Sequence, residues 1–516
     1  MAKKHVVDWH KVDQPFTGLE TNVAHEIEVR REAIPLIFVP GIMGTHLRRP
    51  GTDGKGEANG LPNLRWNPSE LGWTWDNLIG MDAEWRRRLI VGEPDEDFRP
   101  DYLEPDEDTP PGNGFRGIMT DYHKFLTPLR TQDWGEFKKI FEFPVYACGY
   151  NWTADVRDAA AALLQRIDAI IEEGRAVTGF CEKVILISHS MGGLVCRTAS
   201  EVLNGRGKII GIVHGVQPVN GAPAAYWRMK AGFEGFDKLG LVQSALGNTG
   251  EKVTAILGNI PGGLELLPNK LHKANDGKPQ WLKVTEDGKD LFALPNADPY
   301  EEIYRVKAEV RPKKGEKPST NRYWGLVDPD LLNPARNAPQ GGNEWDDVNA
   351  AKYDPWKTYL DVLRTAESLH DALSPPAGPR QHPQTLCITG NGHKTADIIE
   401  LQVESNWVRS DPYPRGCFRG FFTNAMGKDM QAVLQDPAGE GDATVVLSSG
   451  IAVEAPGRPK PGDKRTNVEH QPAYEDAVVQ AWSIEAIKAL CKHHFHVRRG
   501  TAPSEDQPPG GPPVSE

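Results

Sequence analysis

The sequence predicts an α/β fold, with a mostly parallel sheet and helices on both faces. Two observations carry this reading. The runs IPLIFV at 34–39, KVILIS at 183–188 and KIIGIVHG at 208–215 are short, apolar and bounded by turn residues. Such runs suit strands buried on both faces. Helical patterns of about three to five turns separate them, which is the rhythm of a covered parallel sheet.

Each element has its own signal. In DVRDAAAALLQRIDAIIEEG, Val156, Ala160, Leu163, Leu164, Ile167, Ile170 and Ile171 recur at three- and four-residue spacing, so a helix is expected to end at Gly174. A short strand is expected at 143–146, and a helix from Met191 to about Gly205. Strands are expected again at TLCITGNG (385–392) and ATVVLSSG (443–450), and a last helix over roughly 472–491. Residues 1–32 read as a polar, aperiodic N-terminal arm lying on the body. The first part of the core is placed at 33–220, with a Gly-, Pro- and Trp-rich lid-like insertion at 50–115. A cap is expected over 221–380, the second part of the core over 381–496, and a flexible tail over 497–516.

Composition excludes several function classes. The chain has 516 residues, 39% hydrophobic and 25% charged, with a formal net charge of −12, which disfavours nucleic acid as a partner. Six cysteines without a CxxC pair do not make a disulfide scaffold. No metal is implied, because no HExxH or carboxylate cluster is present, and no GxGxxG follows a strand to hold a dinucleotide. No cofactor is expected. The N-terminus MAKKHVVDWHKVDQPF has no apolar run behind its basic residues. It is therefore not read as a secretory signal, and synthesis in the cytoplasm with signal-independent export is compatible with it.

The strongest chemical signal is VILISHSMGGLV at 184–195. A strand running into Ser188-His189-Ser190-Met191-Gly192 and straight on into a helix has the form of a nucleophile turn. Small residues two positions either side of Ser190 let strand and helix pack closely, and Ser188 stands where a glycine is usual. His189, beside the nucleophile, is expected to point away from its oxygen. One oxyanion donor is then the backbone N–H of Met191; the other is Ile42, in the early loop VPGIMG. In this α/β-hydrolase order the acid and base follow the serine. Asp442, in GDATV, is the acid, and His470, 28 residues later and before the last helix, is the base. His393 precedes the acid and is the rival base; His493, His494 and His496 read as surface residues or as partners of the helix C-terminal dipole.

These motifs, taken in order, resemble the lecithin:cholesterol acyltransferase and lysosomal phospholipase A2 family and its bacterial lipase-like relatives. PLIFVPGIMGTHL, GYNWTADVR, SHSMGG, VNGAP, GGLELLP, CITGNGHKT and GDATV carry the resemblance over roughly 33–490. Asn151-Trp152-Thr153 departs from the family's aspartate-tryptophan-arginine segment. The resemblance implies a phospholipase-A-type serine lipase with Ser190, Asp442 and His470 as triad, and a lid and cap over the site. Acyl transfer by the same acyl-enzyme, an antibacterial lipase effector with a secretion-system partner and an immunity protein, and a noncatalytic binding protein are the rival readings. Trp66, Trp73, Trp75 and Trp85 beside Arg86, Arg87 and Arg88 fit two readings equally, peripheral membrane contact at a phospholipid interface with the arginines meeting phosphates, or the core of the insertion.

Overall fold

The computed structural model describes residues 2–14, 19–48, 81–91, 122–233, 246–308, 322–334, 354–404, 428–453 and 464–501. It also describes short strand pieces at 57–58, 61–62, 65–66, 104–105 and 419–423. Most of the expected lid, with Trp73, Trp75 and the side chains of Trp66 and Arg88, lies outside these residues, as do Cys417 and residues 502–516.

The central sheet has six strands in the order Val145–Ala147, Leu36–Val39, Val184–His189, Ile209–Gly215, Thr385–Gly390 and Lys464–Thr466. Every neighbouring pair is parallel. Side chains alternate across a strand, so one face carries Ile37, Val39, Val184 and Leu186, and the other Leu36, Phe38, Ile185 and Ile187. The helix Val156–Thr178 covers the first face with Val156, Ala160, Leu163, Ile167 and Ile170. Phe125, Leu126 and Leu129 of His123–Arg130, with Val479, Ile487 and Leu490 of Ala477–Arg498, cover the second. The helix 156–178 runs past Gly174 and stops at Gly179, which takes the left-handed conformation that an L side chain avoids.

Several expectations need correction. ATVVLSSG is not a strand. Ala443 has φ +74°, the Asp442 carboxylate accepts from the N–H groups of Thr444 and Val445, and Leu447–Gly450 is a short helix. An aspartate that bonds the backbone just ahead of itself turns the chain instead of extending it. Lys464–Thr466 supplies the sixth strand in its place. The PAGEG stretch just before Asp442 holds strand Gly439–Gly441, which pairs with His393–Thr395.

The N-terminal arm is not aperiodic: Lys3–Asp8 pairs in parallel with His25–Arg30, and buried Trp9 packs on Phe141 and Phe495. His494 is not a surface residue; it is buried against Glu32. The last helix extends to Arg498.

A second sheet of five strands joins Leu282–Glu286 and Lys289–Leu294 to Ile399–Glu404, Arg419–Thr423 and Asp429–Leu434. It draws on both sides of residue 380, so the covering structure expected within 221–380 extends into 399–434. Arg86 and Arg87, which meet membrane phosphates in the interfacial reading, are buried in the helix Ala83–Ile90, where Arg87 bonds Glu84. Charges placed inside in this way leave the interfacial reading without two of its three arginines. No helix among the described residues is long and apolar enough to cross a membrane.

Candidate active site

The nucleophile turn is built by close packing. Strand Val184–His189 ends at Ser190, which has φ +52°, and helix Gly192–Arg197 begins two residues later. A side chain with positive φ is strained, and here the strain lifts the hydroxyl above the sheet edge. Gly192 lies against the neighbouring strand: a Cβ there would come within 2.4 Å of the carbonyl oxygens of Val39 and Pro40. Gly193 lies as close to the Gln217 side chain. Ser188 tolerates its place because its hydroxyl bonds His214 Nδ1 at 2.6 Å, and the backbone N–H of Ser190 donates to Gly215 O.

Ser190, Asp442 and His470 meet at the ends of these strands. Ser190 Oγ lies 2.7 Å from His470 Nε2, and His470 Nδ1 lies 2.9 Å from Asp442 Oδ2. The other carboxylate oxygen of Asp442 accepts from Thr444 N at 2.9 Å and Val445 N at 2.6 Å. The backbone N–H of His470 donates to Asp442 O, so acid and base are joined twice. A carboxylate accepts only, so Nδ1 carries the proton and Nε2 faces the hydroxyl as acceptor. All three are nearly enclosed, with relative exposures of 5%, 1% and 4% in the order serine, aspartate, histidine.

His393 is elsewhere. It pairs with Gly441 and its ring is 3.7 Å from Glu469, not at the serine. His189 points away from the Ser190 oxygen, toward Tyr122 and the main chain of His470. Burial, followed by the nearby His470, pulls its pKa down to about 3, so it is neutral.

A cleft opens over Ser190. Ile42 and Gly44 line one side, and Ala222, Ala225, Leu257, Gly263 and Leu266 form an apolar wall. The Gly41–Gly44 turn closes with a 3.0 Å bond from Gly44 N to Gly41 O, and Met43 has φ +60°. Gly41 approaches Ser190 so closely that a Cβ would lie 3.0 Å from the serine Cβ. Ile42, next in the chain, lines the cleft, and Met191 follows the nucleophile as the N-cap of its helix. A hydroxyl, an imidazole and a carboxylate in this series can move a proton from oxygen to nitrogen as the oxygen attacks a carbonyl.

Three polar residues of the cleft, Arg228, Thr444 and Gln471, have no recognised catalytic role. Arg228 donates to Thr444 Oγ1 at 3.0 Å, and Gln471 Nε2 reaches the same oxygen at 3.3 Å. Arg228 is buried and its guanidinium sits 5.0 Å from the Phe233 ring centroid. The available signal was a pair of cations, Arg228 and Lys230, in PAAYWRMKA just beyond the proline of VNGAP.

No protein-family model and no curated protein matches the chain. Among solved structures, the crystal structure of a Tle4–Tli4 complex aligns with a TM-score of 0.63 at 21% identity, covering 90% of this chain and 99% of the matched one. The fold is α/β-hydrolase-like. Phospholipase PlaB from Legionella pneumophila also aligns, with a TM-score of 0.19 at 11% identity over 62% of this chain and 78% of the other, which is too low to carry an argument. The match over nearly the whole Tle4 chain extends beyond the central sheet, so the two chains share the overall architecture.

Proposed function

We propose that the chain is a serine hydrolase of lipid acyl esters, with phospholipids as its substrates. The observation that carries this is the bonded series Ser190–His470–Asp442 at the floor of an apolar cleft. His470 takes the Ser190 proton as the hydroxyl attacks the ester carbonyl, and Asp442 holds the resulting imidazolium. The N–H groups of Ile42 and Met191 receive the oxyanion. His470 then protonates the leaving alcohol or lysolipid, and water releases the acyl group by the reverse sequence.

Arg228 supports phospholipid over neutral ester. Its guanidinium stands beside Thr444 and Gln471 at one edge of the cleft, where a phosphate can accept from it. The motif resemblance to the lecithin:cholesterol acyltransferase family points the same way.

The likeness to a chain crystallised with a second protein, Tli4, favours a further reading of the same chemistry. In it the protein is an antibacterial lipase effector, exported by a secretion machine and held by a dedicated neutralising partner in the cell that makes it.

One experiment tests chemistry and role together. Wild type, Ser190→Ala and Arg228→Ala are given phosphatidylethanolamine, phosphatidylglycerol, triacylglycerol and a neutral short-chain ester, with products read by mass spectrometry. Wild type should release fatty acid and lysophospholipid, and Ser190→Ala should lose at least about 10⁴-fold. Arg228→Ala should lose about 10- to 100-fold on phospholipid alone, the worth of one charge-assisted hydrogen bond. Directed to the periplasm of a sensitive bacterium, wild type should arrest growth and Ser190→Ala should not. Hydrolysis that survives Ser190→Ala would sink the mechanism; harmless wild type would sink the effector role alone.

A further inference from the structure

Outside the proton path from Ser190 to Asp442, a second chain of hydrogen bonds runs behind the nucleophile. The N–H of Gly41 donates to Tyr122 Oη at 3.1 Å. Tyr122 Oη lies 2.9 Å from His189 Nδ1, and His189 Nε2 lies 2.8 Å from His470 O. Chemistry fixes every proton in it. A carbonyl oxygen only accepts, so Nε2 carries the imidazole proton and donates to His470 O. A neutral ring then leaves Nδ1 as acceptor, and the tyrosine must donate to it. The tyrosine oxygen is thereby free to accept from Gly41. Donors and acceptors match at all three links, with a single tautomer.

The chain is held on all sides. Tyr122 is buried, with its ring 4.8 Å from that of Phe38. A Cβ on Gly44 would come 3.0 Å from the tyrosine oxygen, and one on Gly41 would come 2.9 Å from His189 Nδ1. The two glycines of the PGIMG loop therefore make the space this chain occupies. Its ends are the Pro40–Gly41 peptide, one residue ahead of the Ile42 N–H, and the carbonyl of the histidine that accepts the Ser190 proton.

We infer that Tyr122 and His189 are positioning residues, whose hydrogen-bond chain fixes the oxyanion loop and the main chain of His470 at one mutual distance. The inference rests on the hydrolase reading above. Gly41 N–H is spent on Tyr122 and Gly44 N–H on Gly41 O, which leaves the N–H groups of Ile42 and Met43 as those this loop can offer the reacting oxygen. His470 is held by its N–H through Asp442 O and by its C=O through His189, so the imidazole pivots little between accepting and returning a proton.

The test uses the full-length protein and separates positioning from folding. Wild type is first labelled with a fluorophosphonate. Acylation by a p-nitrophenyl ester, affinity for a trifluoromethyl ketone and the urea midpoint are then measured for Tyr122→Phe, His189→Ala and His189→Asn. Displacing an oxyanion donor by about 1 Å costs on the order of 100-fold in rate, so Tyr122→Phe should acylate about 10- to 100-fold more slowly with KM within about threefold. Trifluoromethyl ketone affinity should fall in parallel, because the serine adduct carries the oxyanion. His189→Asn, whose Oδ1 replaces Nδ1 as acceptor, should recover at least about tenfold over His189→Ala. Unchanged acylation in Tyr122→Phe and His189→Ala, or losses confined to KM or to the urea midpoint, overturns the inference while the hydrolase reading stands. Wild type that takes no label at Ser190 overturns both.

Discussion

The two halves of the candidate site are held by different means. The nucleophile half is contiguous: strand, Ser190 and helix lie within residues 184–197, and backbone presses on backbone where Gly192 meets Val39 O and Pro40 O. The acid–base half is assembled from segments far apart in the chain. Asp442 follows a strand paired with His393–Thr395, Ala443 N donates to Thr395 Oγ1, and His470 arrives from beyond the sixth strand. Close packing fixes the first half and directed hydrogen bonds fix the second. The first should therefore fail by unfolding, and the second by losing chemistry with the fold intact.

The sharpest test of that contrast is Asp442→Asn. The asparagine Oδ1 still accepts from Thr444 and Val445, so the turn survives. Its amide, however, meets His470 Nδ1 with a donor where the carboxylate accepted, and the imidazole is forced into the tautomer that cannot take the Ser190 proton. Acylation should fall by about 10³- to 10⁴-fold at neutral pH, with the urea midpoint nearly unchanged. Equal losses of stability and activity would show that the acid half, too, is held by packing.

Gly192→Ala probes the other half. Its Cβ meets two main-chain oxygens, neither of which can rotate away. The helix must lift off the strand, at a cost of about 3 kcal/mol in urea unfolding, and the residual folded protein should acylate slowly because Met191 N–H moves with the helix. A variant as stable as wild type would mean that the approach of helix to strand is looser than the geometry states.

The same division explains what the sequence made legible. The nucleophile turn is readable because its strand, turn and helix are adjacent, and the apolar period of 156–178 is that of a helix lying on one face of a sheet. Chain order alone then selected Asp442 and His470, which the fold brings together. The strand expected at 443–450 was misread because its apolar content resembles a strand while the Asp442 side chain diverts the backbone into a turn. His494 was misplaced because its partner, Glu32, lies 462 residues away. Tyr122 and Arg228 had no motif at all. Each gains its role from a contact across the fold, Tyr122 with a loop 81 residues earlier and Arg228 with Thr444, 216 residues later.

Titration offers a gentler way to set His189, behind the nucleophile, against the buried histidines His272 and His370. Burial, as the largest influence, lowers His189 to about 3, and His272 and His370 to about 4 each. Their unfolded-state values lie near 6.5, so between about pH 6.5 and 4 the unfolded chain binds protons that the folded chain refuses. Stability from these groups is complete above pH 6.5 and falls as the pH drops, by at most about 1.4 kcal/mol per pH unit for each.

Glu265, whose backbone carbonyl accepts from His370 Nε2, opposes them. Burial and then the adjacent Asp155 raise its carboxyl well above the usual carboxylate range. Above about pH 4.5 the folded chain therefore holds a proton that the unfolded chain has released, and this group favours folding as the pH falls. Urea unfolding of wild type should lose about 2 kcal/mol between pH 6.5 and 5.5, and Glu265→Gln should steepen that loss. A slope left unchanged by Glu265→Gln would place the acid response in the histidines alone, and a flat wild-type profile would mean that His189, His272 and His370 do not titrate as buried neutral rings.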